Sequence, residues 1–517
     1  MAAVRMERLW AFVAAMLPAL AALLVAMPAV DLAYQLRAGA EILGGGGIPA
    51  VDTWTFTVAG TAWLDQQWGA QVLLRLVFDA FGWTGLAVLR AVLLAVTFGL
   101  VFTVARRASG GGIPAAWLAI LALGSFVVAA PALALRPQLF AIVLFAIVLV
   151  VLAGRSERPG RVWLIPLVAA AWANLHGSFP LVLVVVGLAA LDDDARRRRP
   201  EALRLAVVGV VTAAATLVNP FGIDVWGYVV NLASSPTIAA QVSEWRPPST
   251  VEGAGALFYG SLVVVGAVVV GVLALGRRPG RGAIPPAAIG PLVTLAAFAG
   301  LGVLTGRGLA WWALAAPIAL ATIVGAVQRR GVEGAGDASV VAPTWVPEAL
   351  RPIPATERAR PLNLVIVAVL LLAFVALLPS WRPVGPAGVP EGLLSHAPQG
   401  IATELRGFAR TGRQTLIRVW NPQLWGSWLE FAVPELRYAL DSRLELYPAS
   451  IWADAEIIAS GVDGWDELLD RYGVTVVVVA PEQTTLRDAL ATAPGWVVRY
   501  READGSIWTR SVVEAGL

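Results

Sequence analysis

Long apolar runs separated by short polar connections fill the chain from Leu9 to Pro379. A helix needs about 20 apolar residues to cross the hydrocarbon core of a bilayer, and shorter runs fit broken or re-entrant elements. The pattern therefore predicts a membrane all-α module with about eleven transmembrane helices. They lie at approximately 9–30, 83–105, 113–135, 139–153, 162–174, 178–191, 203–219, 256–276, 288–305, 308–327 and 362–380.

Two features of these runs leave alternatives open. The basic start and small residues near Ala26 would also suit a cleaved signal peptide, although the long first run favours a retained helix. The fifth and sixth spans are short and meet at residues 173–178, which indicates tilt, local thinning or a break inside the protein. Polar residues at that break are expected to face protein or water.

Arginine clusters mark one side of the predicted spans. Arg5 and Arg8 precede the first span, and further clusters follow even-numbered spans. These clusters are Arg106 and Arg107, then Arg155, Arg158 and Arg161, then Arg196 to Arg199, then Arg277, Arg278 and Arg281, and finally Arg329 and Arg330. Because cytoplasmic loops carry the excess of Arg, we expect a cytoplasmic N-terminus and an external C-terminus.

The pattern changes at the end of the chain. Residues 464–473 predict a helix ended by Gly, 474–480 a buried strand, and 486–493 another helix. Residues 496–500 and 506–510 read as a closing hairpin. The expected domains are a transmembrane module over 1–381, with a large external loop at 31–82 and a cytoplasmic linker at 328–361, followed by a small extracytoplasmic α/β domain over 382–517.

The amino-acid composition excludes several kinds of active site. Hydrophobic residues make up 58% of the chain and charged residues 14%, which is the balance of a membrane protein. All 38 basic residues are Arg, so a GK[ST] phosphate loop and a lysine Schiff base are excluded. The chain has no Cys and only two His. The basic residues flank apolar segments instead of forming a patch, so nucleic acid is not an expected partner.

The external loop 31–82 carries five acids among aromatic and turn residues, and Asp31 is the most informative. It directly follows the first predicted span, where a carboxylate is costly beside lipid and gains nothing from the negative end of that helix. A base that takes a proton next to a lipid-borne substrate belongs at that depth. A solvated acid at the membrane boundary explains the position equally well.

Aromatic and polar residues alternate later in the same loop. Asp52, Trp63, Gln67 and Trp68 form a Trp-flanked polar group that could stack against a sugar and bind its hydroxyls. Interfacial Trp also anchors helices at headgroup level, and the residue types alone favour that simpler role.

Four arginines fall on the external side or within spans: Arg90, Arg136, Arg246 and Arg307. An arginine near lipid is costly unless it meets phosphate, carboxylate or backbone oxygens, and its planar fork suits phosphate. Pairing with a loop carboxylate is the structural alternative for any one of them.

These residues together resemble a largely uncharacterised family of bacterial polytopic proteins related to GT-C glycosyltransferases, the superfamily of protein mannosyltransferases and aminoarabinose transferases. The resemblance covers nearly the whole chain. It rests on Asp31 with 39–43, on Ile48-Pro49, 52–57, Trp63, Gln67-Trp68, 136–140, 172–177, 219–222 and 243–248, and in the tail on 425–429, 439–443 and 468–474.

The resemblance implies transfer of a sugar from a polyprenyl-phosphate carrier to an extracytoplasmic glycan, lipid or protein, in the bacterial cytoplasmic (inner) membrane. It implies that Asp31 is the catalytic base. Arg136, Arg246 or Arg307 would hold the lipid phosphate, and Asn174, His176 and Glu244 would line the cavity. Better-known members carry two adjacent acids or a metal, whereas Leu32 follows Asp31 here, so a divalent cation is left open and no cofactor is assigned.

Two other classes of function are consistent with the same pattern. Breaks near the midplane also occur in transporters, so a flippase for a lipid-linked glycan is one alternative. A non-catalytic assembly protein of the cell envelope is another. For the glycosyltransferase and for both of these alternatives, the sequence predicts that the site residues lie on one side of the membrane.

Overall fold

A computed structural model of the protein describes residues 4–251, 253–276, 284–333, 360–385, 387–410 and 417–511. Of the predicted linker 328–361, residues 334–359 lie outside this description, as do Arg277, Arg278 and Arg281. The described chain is mostly helical. Its α-helices are α1 (Met6–Leu24), α2 (Ala29–Glu41), α3 (Trp68–Ala108), α4 (Ala115–Ala129), α5 (Pro137–Ala153), α6 (Ile165–Ala173), α7 (Leu181–Ala195), α8 (Arg199–Ala215), α9 (Asp224–Ser234), α10 (Pro236–Gln241), α11 (Gly253–Leu275), α12 (Pro286–Leu304), α13 (Gly308–Glu333), α14 (Pro361–Ala376), α15 (Gln399–Ala409), α16 (Gln423–Ala432), α17 (Ala449–Ser460), α18 (Trp465–Arg471) and α19 (Thr484–Thr492).

Strands occur at the start of the first loop and in the tail. They are β1 (Met27–Pro28), β2 (Leu394–Ser395), β3 (Arg418–Trp420), β4 (Arg437–Tyr438), β5 (Val476–Val479), β6 (Trp496–Glu502) and β7 (Gly505–Arg510). The last five form one sheet in the order β4-β3-β5-β7-β6, in which β3 runs parallel to β4 and β5 while β7 is antiparallel to β5 and β6.

The chain folds into two compact units. The first unit comprises Met1–Leu24, Val88–Val229 and Ala239–Leu377. The second unit comprises Val25–Ala87, Val230–Ile238 and Leu378–Leu517. The loop 31–82, which the sequence groups with the membrane module by chain order, therefore belongs to the same compact unit as the tail.

Six helices among the described residues are long and apolar enough to cross a membrane. They lie at Met6–Leu24, Trp68–Ala108, Ala115–Ala132, Gly253–Leu275, Pro286–Leu304 and Gly308–Arg329. Two shorter apolar helices occupy Pro137–Ala153 and Pro361–Ala376. These helices are those of a membrane protein, but the predicted number of about eleven spans is not confirmed.

The difference arises largely between residues 162 and 219, where three spans are predicted. Here the helices α6, α7 and α8 have 9, 15 and 17 residues. Pro166 lies in the first turn of α6, and α7 begins directly after Pro180, which shortens the helical runs on both sides of the connection. The predicted break between the fifth and sixth spans is confirmed at residues 174–180.

The predicted tail elements are also confirmed. Helices α18 and α19, the strand β5 and the hairpin β6–β7 lie where the sequence places them. All four residues of β5 are buried, as a run of β-branched residues in the middle of a sheet should be.

The first loop extends this sheet. Thr55 forms a parallel bridge with Tyr438 of β4, and the backbone N–H of Phe56 donates to the carbonyl of Tyr438 at 3.0 Å. β1 pairs in parallel with β2, Met27 opposite Leu394. The loop thus covers the exposed edge at β4 and joins residues from both ends of the chain in the second unit.

Candidate functional site

Asp31 lies in the first turn of α2, in the second unit. α1 ends at Leu24, and Pro28, whose backbone is extended with ψ at 124°, caps the start of α2. The expectation that Asp31 sits at the negative end of the first span is wrong, because Pro28 has no N–H to continue that helix. Asp31 is half-buried and lies at the positive end of α2.

The backbone beside Asp31 is attached to the tail. Ser442 donates its hydroxyl to the carbonyl oxygen of Val30 at 2.6 Å, and the same hydroxyl lies 2.6 Å from that of Ser427. The position of Asp31 therefore depends on two serines that are distant in sequence.

Asp52 occupies a buried ion pair with Arg443. Arg443 Nη2 lies 2.6 Å from Asp52 Oδ1, and Arg443 Nε donates to Asp441 Oδ2 at 2.8 Å. Asp52 also accepts hydrogen bonds from the backbone N–H groups of Trp54 and Thr55 at 3.2 Å. The carboxylate is saturated, so contact between Asp52 and a sugar remains a prediction that would require this pair to open.

Trp63 belongs to the same buried group. The Arg443 guanidinium carbon lies 4.6 Å from the centroid of Trp63 and 4.1 Å from that of Trp54. The two indole rings meet edge to face at 5.3 Å. These geometries fit cation–π stabilisation, and they give Trp63 a packing role in the described arrangement.

Gln67 lies beside a buried polar group at the start of α3. Its Oε1 accepts from Gln35 Nε2 at 2.7 Å, and Gln71 Nε2 donates to Asp65 Oδ1 at 2.6 Å. Burial raises the pKa of Asp65 to about 7. Trp68, the first residue of α3, is half-buried, as is Gln67. Both can therefore be reached from solvent.

In the first unit, one carboxylate holds two arginines. Arg136 Nη2 donates to both oxygens of Glu244, at 3.0 and 3.1 Å, and Arg307 Nε lies 3.7 Å from Glu244 Oε2. The Arg307 guanidinium carbon lies 4.2 Å from the centroid of the Trp245 ring. Arg136, Arg307 and Glu244, three of the predicted phosphate-site residues, thus form one cluster.

Backbone hydrogen bonds fix this cluster. The N–H of Arg307 donates to the carbonyl of Glu244 at 3.0 Å, and that of Gly306 to the carbonyl of Arg246 at 2.9 Å. Thr305 adds its hydroxyl to the Glu244 carbonyl at 2.8 Å. Arg136 is the residue that caps α5, directly before Pro137. Arg136 and Arg307 therefore lie directly before α5 and α13. Hydrogen bonds from residues 305–307 hold the backbone of Glu244 and Arg246 in place.

His176 is a neutral hydrogen-bond donor near these cations. The backbone N–H of Ser178 donates to Nδ1 at 3.1 Å, so the ring proton resides on Nε2. Burial and the positive charges of Arg307 and Arg136 lower the pKa of His176 to about 3. Its Nε2–H can therefore donate a hydrogen bond to an anion, while the imidazole ring itself stays neutral.

Asn174 and Arg246 bind backbone carbonyls. Asn174 Nδ2 donates at 2.8 Å to the carbonyls of Ala170 and Val218, which ties α6 to the end of α8. Arg246 Nε donates to the carbonyl of Ala239 at 2.8 Å, and its Nη2 to that of Ala240. These contacts give both residues a structural role, and their predicted contact with phosphate remains a prediction.

Among the described residues, no group of three or more His, Cys, Asp and Glu side chains is arranged to hold a metal ion.

No family model matches the chain, and no curated protein sequence matches it. Solved structures are similar in fold. The apo crystal structure of the Archaeoglobus fulgidus oligosaccharyltransferase matches at 12% identity and a TM-score of 0.52, covering 97% of this chain and 74% of that one. The same enzyme tethered by a disulfide bond to an acceptor peptide containing the NVT sequon matches at 12% identity and a TM-score of 0.50, with the same coverage. At this identity the likeness shows the fold alone.

Proposed function

We propose that the chain is a membrane glycosyltransferase that moves a sugar from a polyprenyl-phosphate carrier to an acceptor outside the cytoplasm. The observation that carries the proposal is the cluster of Arg136, Arg307 and Glu244, on a fold similar to that of an oligosaccharyltransferase. Two guanidinium groups around one carboxylate match the geometry of a phosphate. A lipid phosphate would take the place of that carboxylate.

In this proposal the bond between the anomeric carbon of the sugar and a phosphate oxygen breaks, and its electron pair stays on the phosphate. Arg136 and Arg307 stabilise the charge that develops there, and His176 Nε2–H adds a neutral donor. Fixed cations reduce the barrier because they are already in position when the charge appears.

Asp31 is the proposed base. It takes the proton from the acceptor hydroxyl or amide as the acceptor atom bonds to the anomeric carbon. Its place in the first turn of α2 leaves the half-buried carboxylate accessible to an acceptor, from which it would take that proton. A divalent cation bound with the substrate would add charge stabilisation.

Among the predicted acceptor contacts, Gln67 and Trp68 are the stronger candidates because both are half-buried. Asp52 and Trp63 would act indirectly, by holding the loop in place through Arg443. Asn174 and Arg246 would likewise support the backbone around His176 and Glu244.

We further propose a cytoplasmic N-terminus and an extracytoplasmic tail. Arg136 precedes α5 and Arg155 follows it, so the two stand at opposite ends of one apolar helix. Arg155 lines one cavity together with Arg107, Arg196, Arg198 and Arg329, the kind of excess that faces the cytoplasm. Arg136 and Glu244 then belong to the external end of the first unit.

The test uses the full chain in lipid nanodiscs, with radiolabelled polyprenyl-phosphate hexoses as donors and envelope extract as acceptor. Wild type is expected to transfer label to a product. Asp31→Asn should reduce the rate by roughly a hundredfold or more, the size of a lost general base. Arg136→Gln should reduce it similarly through the departing phosphate.

Asp79→Asn is the matched control for the base, because Asp79 is an exposed acid of α3 that pairs with Arg75 at 2.8 Å. It should keep the wild-type rate. Full activity of Asp31→Asn would overturn the assignment of the base. Movement of intact donor across vesicles without a covalent product would support a flippase, and inactivity with stoichiometric capture of an envelope protein would support an assembly role.

A further inference from the structure

A second basic site lies in the first unit, around a cavity of about 280 Å³. Residues of α3, α5, α7, α12 and α13 line it. Its walls are apolar where Leu149, Leu152, Val185 and Ile318 contribute. Its rim carries five arginines, at positions 107, 155, 196, 198 and 329. An apolar wall with a basic rim is suited to an amphiphile.

Two of these arginines are fixed by buried acids. Arg155 Nη2 donates to Asp192 at 2.6 Å, and its Nε donates to Asp193 at 2.8 Å. Arg196 donates to Asp192 at 2.9 Å and to the carbonyl of Ala287 at 2.9 Å. This network ties the end of α7 to the start of α12, so the floor of the site is rigid.

The other three arginines are available to a ligand. Arg107 and Arg329 are exposed and have no ion-pair partner within the described residues. Arg198 donates to the hydroxyl of Ser156 at 2.8 Å and lies 3.9 Å from Asp193, which leaves much of its charge uncompensated. The rim therefore has positive charge in excess of what its acids neutralise.

This site is separate from the proposed catalytic cluster. Arg136 stands at the start of α5, and Arg155 follows its end, 17 helical residues later. That length corresponds to about 25 Å, close to the thickness of a bilayer core. The cavity therefore lies at the opposite end of the first unit, which the excess of arginine marks as cytoplasmic.

We infer that this cavity binds the phosphate headgroup of an acidic phospholipid, with Arg107, Arg198 and Arg329 on the phosphate. One acyl chain would lie along Leu149, Leu152 and Ile318. Basic pockets between membrane helices on the cytoplasmic side bind lipid headgroups by this chemistry. The inference does not depend on glycosyl transfer, because it uses neither Asp31 nor Arg136.

The experiment measures lipid binding to the full chain in detergent, by native mass spectrometry and by thermal unfolding. Phosphatidylglycerol should bind and raise the unfolding midpoint, since a ligand that binds only the folded state stabilises it. Phosphatidylcholine should bind at least tenfold more weakly. The double variant Arg107→Gln/Arg329→Gln should lower the affinity for phosphatidylglycerol by roughly tenfold or more.

The control Arg158→Gln/Arg161→Gln removes equal charge from exposed arginines that lie near the same end of the unit but outside the cavity. It should retain binding. Ile318→Trp, which fills the cavity without changing charge, should weaken phosphatidylglycerol binding. Three results would overturn the inference. They are equal binding of both lipids, an equal loss of affinity for phosphatidylglycerol in both double variants, and displacement of the lipid by millimolar inorganic phosphate. The last result would indicate a simple anion site.

Discussion

Arg443 and Asp52 form a buried ion pair between residues 391 positions apart in the chain. Their side chains are 1% and 0% exposed, and the guanidinium nitrogen and carboxylate oxygen are 2.6 Å apart. Asp441 accepts from the same guanidinium. The pair joins the first loop to the tail within one compact unit, so neither segment is expected to keep its conformation without the other.

Breaking this pair should destabilise the protein strongly. Removal of one partner leaves the other charge buried, which typically costs about 3 to 5 kcal/mol. Asp52→Asn should therefore lower the free energy of unfolding by several kcal/mol. Arg443→Met should cost more, because it leaves both Asp52 and Asp441 without their cation. Thermal unfolding in detergent, followed by Trp fluorescence, measures both effects.

Coupling between the two positions is the sharper observation. The double variant Asp52→Asn/Arg443→Met should cost less than the sum of the two single variants, because neither charge is then left alone. The exposed pair Arg487 and Asp488 provides the control, and Asp488→Asn should change stability by less than about 0.5 kcal/mol. Additive costs at Asp52 and Arg443 would contradict the coupling.

Gly426 in α16 should not tolerate a methyl group. A Cβ at this position would lie 1.8 Å from the carbonyl oxygen of Leu440, a backbone atom that cannot move away freely. Gly426→Ala should therefore destabilise the protein by about 1 to 3 kcal/mol, or more. At Gly407 in α15 a Cβ would meet nothing within 4 Å, so Gly407→Ala should stabilise by up to about 1 kcal/mol. Equal midpoints in the two variants would exclude the close approach of the Leu440 backbone to Gly426.

Hydrophobic patterns in the sequence predicted those helices and strands whose formation depends mainly on neighbouring residues. The apolar runs predicted the long membrane helices, and the β-branched run 474–480 predicted β5. The membrane helices and β5 both form because neighbouring side chains in a short stretch of sequence leave water together, which a local hydrophobic pattern records. The number of spans was not recovered, because hydropathy reports apolar length but not where proline and paired charges shorten a helix, as in α6 and α7.

The parts of the candidate site that depend on distant contacts could not be predicted. Nothing near Asp52 in the sequence indicates Arg443, although the Asp441-Ser442-Arg443 triplet, an acid two residues before a base, is a weak signal. The pairing of Arg136 with Glu244 spans 108 residues. The position of Asp31 was predicted wrongly for the same reason: Met27 and Pro28 pair with Leu394 and Ser395, and a new helix begins after Pro28.

Asp65 should make stability depend on pH. Burial raises its pKa in the folded protein to about 7, against 3.8 for the free side chain. The folded state therefore holds this proton more tightly than the unfolded state, and stability falls as pH rises from about 4 through 7. Asp65→Asn removes that loss, so the variant should gain up to a few kcal/mol over wild type at pH 8.

The comparison with wild type at pH 4 is the internal control for Asp65. Both proteins then carry a neutral side chain at this position, so their unfolding midpoints should be close. Asn also keeps an acceptor oxygen for Gln71 Nε2, which lies 2.6 Å from Asp65 Oδ1. A difference between variant and wild type that stays constant from pH 4 to pH 8 would rule out a titrating Asp65.

Glu244 should compete with an anionic ligand for Arg136 and Arg307. If the arginines receive a lipid phosphate, Glu244→Gln removes a negative charge from the same position while keeping an acceptor oxygen for Arg136. Polyprenyl phosphate should then bind roughly threefold to tenfold more tightly, the range that about 1 kcal/mol of charge repulsion gives. Arg136→Gln should weaken binding instead. The difference in Trp fluorescence between each protein and its Trp245→Phe variant provides the titration signal, because the Trp245 ring lies 4.2 Å from the Arg307 guanidinium carbon. Asp224→Asn, which neutralises an exposed acid in the first turn of α9, is the control and should bind as wild type does. Weaker binding in Glu244→Gln would show that the carboxylate positions the arginines rather than competing for them.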